Sequence, residues 1–240
     1  MFRIAFRAAF AAALVAASCL AVPAVAQTTA SSRNYAPGFT QRAAGSRIVI
    51  VQTDMELFSQ SAGGVLEPRA DWTDAAQKNF RTAVMAQKRV VGDNTLELQE
   101  KDMDELAQLN SLHGAVAEAV FVHHMMGAPA LPTKDRLLDW TLGDAVQPLR
   151  ERTGADYALF FWIRDSYASA ERKVAIVAMA LLGVGLSGGS QIGYASLVDL
   201  RTGRVVWFNN LARGFGDLRE PEPARETVEA LLKSFPEVAR

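Results

Sequence analysis

Three runs rich in aromatic and β-branched residues stand close together in the second half of the chain. They are Asp156–Asp165, Ile192–Asp199 and Arg204–Asn209. Polar turn residues bound each run, and each predicts a strand. Leu200-Arg-Thr-Gly203 joins the last two as a hairpin, with Gly203 supplying the positive φ of a tight turn. Upstream, Arg47–Thr53 reads as a short, central, buried strand. Residues 54–71 predict a loop or hairpin around Gly63-Gly64, with Val65-Leu66 as a short strand. Helical spacing then takes over. Trp72, Ala76, Phe80, Ala83 and Val84 recur on one face, Asp71 or Thr73 supplies a cap, and Gly92 marks the end.

Thr95–Gln99 predicts another strand. Asp102–Met126 predicts a long helix whose stripe includes Met103, Leu106, Leu109, Leu112, Val116, Val120 and Phe121, stopped by Gly127-Ala-Pro129. Thr133–Arg152 predicts a third helical region, interrupted near Gly143 and Pro148. Ala212–Pro223 reads as a loop, and a last amphipathic helix buries Val228, Leu231, Leu232 and Phe235. No internal repeat is visible. This order predicts an α/β or α+β fold: a single mixed sheet with packed helices, a closing β-hairpin and a C-terminal helix.

The opening residues belong to a different category. Arg3 and Arg7 precede an apolar run, Ala8–Val22, and Ala24-Val-Ala26 is a small-x-small cleavage site. Residues 1–26 therefore predict a secretory signal cleaved after Ala26, with export to the periplasm. Cys19, the only cysteine, falls inside it, so the mature chain is expected to rely on its core and not on disulfides. The alternative is a lipoprotein acylated at Cys19 and associated with the outer membrane. Ala16 stands where a lipobox normally has a larger aliphatic residue. Residues 27–46, rich in Thr, Ser, Ala, Gly and Pro, predict a flexible leader, and residues 47–240 a single domain. Half the residues are apolar, enough for a sizeable core, and the net charge of −1 offers no footprint for nucleic acid.

Between the strands lies an apolar insert, residues 170–190. Val174–Leu186 carries no charge and follows Glu171-Arg-Lys173. It is shorter than a spanning helix and lacks the alternation of a barrel strand. Burial against the sheet or a second subunit is the preferred reading, and contact with a membrane surface the alternative. Val177, Leu181 and Leu182 are the anchors expected there. Trp72, in the loop after the first strand, is a further interface candidate, and Trp207 is expected to support the core.

The same insert spells two catalytic patterns. Gly183-Val-Gly-Leu-Ser-Gly188 matches a dinucleotide fingerprint, but a strand is expected to follow it where the fingerprint needs a helix. Gly185-Leu-Ser187-Gly-Gly189 matches a nucleophile elbow, yet His113, His123 and His124 all precede the serine. An exported hydrolase using Ser187, or the carboxylates Asp54, Glu56, Glu67, Asp71 and Asp74, is the enzymatic alternative. His113, His123 and His124 with Met125 and Met126 suggest a soft-metal carrier as a third reading. No catalytic, cofactor-binding or metal residue is assigned, and no cofactor is expected.

Gly154-Ala-Asp-Tyr157 opening a strand, and Ala195-Ser-Leu-Val-Asp-Leu-Arg-Thr-Gly-Arg-Val-Val-Trp207 closing a hairpin, resemble two groups of bacterial envelope α/β domains. These are the curli-secretion-channel family and the amino-terminal domain of the TolB protein. The resemblance covers the order of elements from Arg47 to Phe235. It implies a non-enzymatic assembly or interaction module of the cell envelope, with an envelope protein partner or self-association. The turn sequence also resembles propeller blades, but a single copy argues against a propeller.

Overall fold

The computed structural model describes residues 33–98, 102, 106–127 and 129–239. All of them fall in one unit, Ser31–Arg240. The expected signal, its cleavage site and Cys19 lie outside the described residues.

Seven strands form one mixed sheet around β5 (Tyr157–Ala168). One side of β5 pairs antiparallel along its whole length with β6 (Gly189–Asp199), and β6 pairs with β7 (Val205–Arg213). The other side carries two strands in line, both parallel to β5. β1 (Ile48–Ile50) meets Tyr157–Leu159, and β2 (Asp54–Gln60) meets Trp162–Ala168. Between them Val51–Thr53 oppose only Phe160 and Phe161, a one-residue bulge. The extra residue lets Ile48, Ile50, Met55 and Leu57 all enter the same core cluster. β3 (Leu66–Pro68) pairs antiparallel with β2, and β4 (Thr95–Glu97) parallel with β1. Of the two expectations for residues 54–71, loop or hairpin, the hairpin around Gly63-Gly64 is present, with residues 54–60 as its first strand.

Helices cover both faces. On one side lie α1 (Ala70–Ala86), the short α2 (Lys88–Val91) and α6 (Pro221–Leu231). Their buried Phe80, Val84, Val91, Val228 and Leu231 meet Leu57, Leu159, Phe161, Leu197 and Trp207. Phe80 packs edge-on to Phe161 at 5.2 Å, and Trp207 edge-on to Phe235 at 5.0 Å. Trp207 is fully buried, as expected of a core residue. On the other side α3 (Ala107–Val120), a π-helical turn (Phe121–Met125) and α4 (Gln147–Thr153) bring Leu109, Val120 and Leu149 against Val49, Phe160, Val198 and Phe208. Because both faces of β5 are covered at this end, Tyr157–Phe161 form a continuous buried run without alternation.

Three local expectations change. Neither Asp71 nor Thr73 caps α1. Thr73 sits in its first turn, donating to the Arg69 carbonyl and accepting from the Leu57 amide, which ties α1 to β2. The stretch 133–152 is irregular over 135–142, between a 3-10 turn (Pro132–Lys134) and a second one (Gly143–Val146) that runs directly into α4. Pro148 lies in the first turn of α4, where its missing N–H costs nothing.

Residues 33–46 correct the expectation of a flexible leader. Asn34 and Ala36 pair through their backbones with Phe208 and Val206, covering part of the outer edge of β7. Arg42 is buried without a carboxylate. Its guanidinium donates to the carbonyls of Pro236 (2.9 Å), Val91 (2.7 Å) and Val90 (3.1 Å). These last two are carbonyls at the end of α2, where a helix leaves acceptors unused. Composition alone had marked this stretch as a spacer, whereas its backbone groups satisfy an edge and a helix end.

Candidate interaction surface

β5 and β6 run together to one end of the sheet. Between them α5 (Ala170–Leu181) and residues 182–188 form the apolar insert. Ser169 caps α5 by accepting from the Arg172 amide. A stripe of Arg172, Ala175, Ile176 and Met179 is buried or half-buried. The other face is open: Val174, Val177, Leu181 and Leu182 are exposed, Leu181 at 85% and Leu182 at 74%. The expected burial of these anchors against the sheet is therefore not met within one chain. The spacing of apolar residues all round the helix could not distinguish the inward stripe from the outward one.

Two further segments end beside this helix. The β2–β3 hairpin exposes Val65 and Leu66, and its Ser61 carbonyl accepts from Arg172. The loop after β7 exposes Phe215, 70% accessible, between Gly214 and Gly216. Sequence reasoning missed all three. Their signal was an apolar residue beside flexible glycines in a segment without charge: residues 61–66, 174–192 and 214–216 contain no ionisable side chain. Exposed apolar residues gathered in this way are the usual mark of a contact surface.

The base of this apolar end is rigid. Arg172, from the charged collar before the insert, is buried and donates to the carbonyls of Ser187 (2.9 Å) and Ser61 (3.3 Å), bracing insert and hairpin together. Gly189 lies so close to Ser166 that a side chain would meet its carbonyl oxygen at 2.0 Å. Beneath, Asp165 is buried and accepts from Tyr167 Oη and Gln191 Nε2, both at 2.5 Å. Gln191 Oε1 accepts from Arg213 Nε and Thr227 Oγ1, and Tyr167 Oη accepts from the Leu218 amide. Burial pushes the Asp165 carboxyl up to about 6, and it pushes the Tyr167 phenol upward too. The network links β5, β6, β7 and α6 under the exposed surface.

No family model matches the chain, and no curated protein matches it. Solved structures do. A PelC dodecamer from Paraburkholderia phytofirmans is similar at 12% identity and a TM-score of 0.36, over 82% of this chain and 92% of that one. The C-terminal domain of LpoB from Salmonella enterica is similar at 13% identity and a TM-score of 0.29, over 74% and 87%. Lipoprotein GNA1162 from Neisseria meningitidis is similar at 12% identity and a TM-score of 0.29, over 70% and 79%. These likenesses are remote in sequence and in backbone. With no family matched, neither the curli-secretion-channel nor the TolB resemblance becomes an assignment.

The remaining sequence candidates are dispersed. Trp72 is half-buried against Tyr167, with the guanidiniums of Arg69 and Arg219 over its ring at 4.3 and 4.2 Å. Ser187 exchanges hydrogen bonds with the Gly189 backbone, and the chain leaves it as strand β6, not as the helix an elbow requires. The glycine pattern 183–188 likewise feeds a strand. His113 lies in the core, bonded to Ser196 Oγ at 2.6 Å and stacked on Phe160 at 3.8 Å, and burial lowers its pKa to about 3. His123 and His124 instead meet the carbonyls of Pro129 and Arg33. Met125 is buried and Met126 exposed, so the three histidines and two methionines do not converge. Among the carboxylates, Asp54 and Glu56 flank Arg164 on the sheet and Asp71 pairs with Arg69. Glu67 stands on β3 and Asp74 on α1. They form no paired acid and base.

Proposed function

We propose that this chain is a non-enzymatic, exported protein of the cell envelope that works as an interaction module. The observation that carries the reading is the exposed apolar end built from α5, the β2–β3 hairpin and Phe215, set on a buried polar network that holds it in shape. Val177, Leu181 and Leu182 are its anchors, and Trp72 stiffens the adjoining edge and offers a secondary contact. Export rests on the signal-like residues 1–26. No helix among the described residues is long and apolar enough to cross a membrane.

Capture from a cell-envelope extract tests this reading. The wild-type chain is expected to retain components that a Val177→Glu/Leu181→Glu variant loses. A Leu137→Glu control, altered at an exposed apolar residue elsewhere, is expected to keep them. Equal capture by all three chains removes the apolar end as the contact surface.

A further inference from the structure

We infer that the bare edge of β4 takes an extended peptide as an added strand. This is a second contact surface, independent of the apolar end. β4 pairs with β1 at the Tyr157 end of β5, away from α5. That pairing fixes which backbone groups are spare. Ile48 donates to the Asn94 carbonyl at 3.0 Å, and Leu98 donates to the Ile50 carbonyl at 2.9 Å. Residues 94, 96 and 98 therefore turn their backbones toward β1, while Thr95 and Glu97 turn theirs outward. Among the described residues, nothing bonds to the outward N–H and C=O groups of these two. A bare strand edge is a template for another strand. The sheet's other edges are blunted: Asn34 and Ala36 pair along part of β7, and β3 carries Pro68, which has no N–H.

Two hollows flank the β4 edge, one on each face of the sheet. On the α1 face, a hollow of about 1080 Å³ is floored by Ile50, Val84 and Met85 and rimmed by Lys78 and Arg81. On the α4 face, a hollow of about 350 Å³ is lined by Val49, Leu96, Arg152 and Thr153. Glu97 and Leu98 line both. Arg81 reaches across to pair with Glu97, an exposed contact that is cheap to displace. An added strand sends successive side chains to opposite faces. The edge thus offers backbone partners together with a seat for each set of side chains, as strand addition requires. β4 has only three residues, so the hollows supply most of the contact. The matching segment alternates large side chains, toward α1, with small apolar ones, toward α4. A single extended segment fits between these helical walls, whereas a second copy would bring its own helices against them.

The test uses nine-residue peptides selected from a random phage library on the full chain and then synthesised. Fluorescence polarisation compares wild type with Glu97→Pro, which removes an outward N–H and leaves the Leu98 donor to β1 in place. Affinity is expected to fall about tenfold or more. Glu97→Gln keeps the N–H and should bind as wild type. Single N-methylation along the peptide should cost about tenfold at every second amide and little between them. That scan leaves the protein unchanged, so it decides the matter even if Glu97→Pro does not fold. Bound peptide should also slow hydrogen exchange at the Thr95 and Glu97 amides. A methylation scan without alternation overturns the inference, as does equal loss in both Glu97 variants or the absence of any selected binder. Protection at residues 177–182 in place of Thr95 and Glu97 overturns it too, and returns the peptide to the apolar end. A dimer in sedimentation that Glu97→Pro dissolves, with no peptide bound by wild type, overturns it in favour of a second copy.

Discussion

The two ends of the β5–β6 ladder obey opposite rules. At the Tyr157 end, apolar side chains enter two cores, and the polar pair His113 and Ser196 satisfies itself inside one of them. At the Ala168 end, the interior is polar, with Asp165, Tyr167 and Gln191 bonded together, while the apolar residues stand outside. The same pair of strands is thus a core element at one end and a platform at the other. A shared backbone does not fix which way hydrophobic residues serve; the layers that cover it do.

Substitution and pH can sharpen or break this contrast. The largest effect is expected from acid on the Tyr157 end. The folded pKa of His113 lies below the unfolded value of 6.5, at about 3. Its contribution is therefore complete above 6.5 and lost as pH falls toward 3, by about 5 kcal/mol at most. Chemical denaturation across that window should show a steeper loss for wild type than for His113→Gln. Trp207→Ala, in the same half, should cost roughly 3–5 kcal/mol by the same measurement.

The Ala168 end should respond with the opposite sign. The folded pKa of Asp165 is raised from 3.8 to about 6. The fold disfavours its ionised form, so stability is complete below 3.8 and is lost as pH rises through about 6. Asp165→Asn, which keeps an acceptor for Tyr167 and Gln191, should be more stable than wild type at pH 8 by up to about 3 kcal/mol, and equal to it near pH 3. The smallest effect belongs to the platform itself. Leu181→Ala should change stability by no more than about 0.5 kcal/mol. A larger loss would mean that the insert is part of the core after all and would end the contrast.

Legibility in the sequence followed the same divide. Tyr157–Phe161, the Gly203 hairpin and the face of α1 announce themselves through period and turn chemistry, because a covered surface imposes a pattern on its residues. Gly203 does adopt a positive φ, +71°, and a side chain there would strike the Gly143 backbone. The insert was recognised as one apolar excursion, but its inward and outward stripes were not separable by composition. Val65, Leu66 and Phe215 escaped because only the folded sheet brings their loops to one end. The partners of Arg42 and Arg172 escaped for another reason. Each arginine is a cation held by backbone carbonyls, and no acidic partner in the sequence points to such a site.

The bulge at Val51–Thr53 gives the chain a spare residue that a small deletion can remove. A shortening by a single residue there leaves two residues opposite Phe160 and Phe161, restores plain alternation from β1 into β2 and turns no side chain of β2 over. Asp54 and Glu56 would still flank Arg164, while Met55 and Leu57 would still share the core with Phe80. Related chains that lack one residue at this point should keep the polarity order of the following seven residues, length there varying by one while the pattern stays fixed.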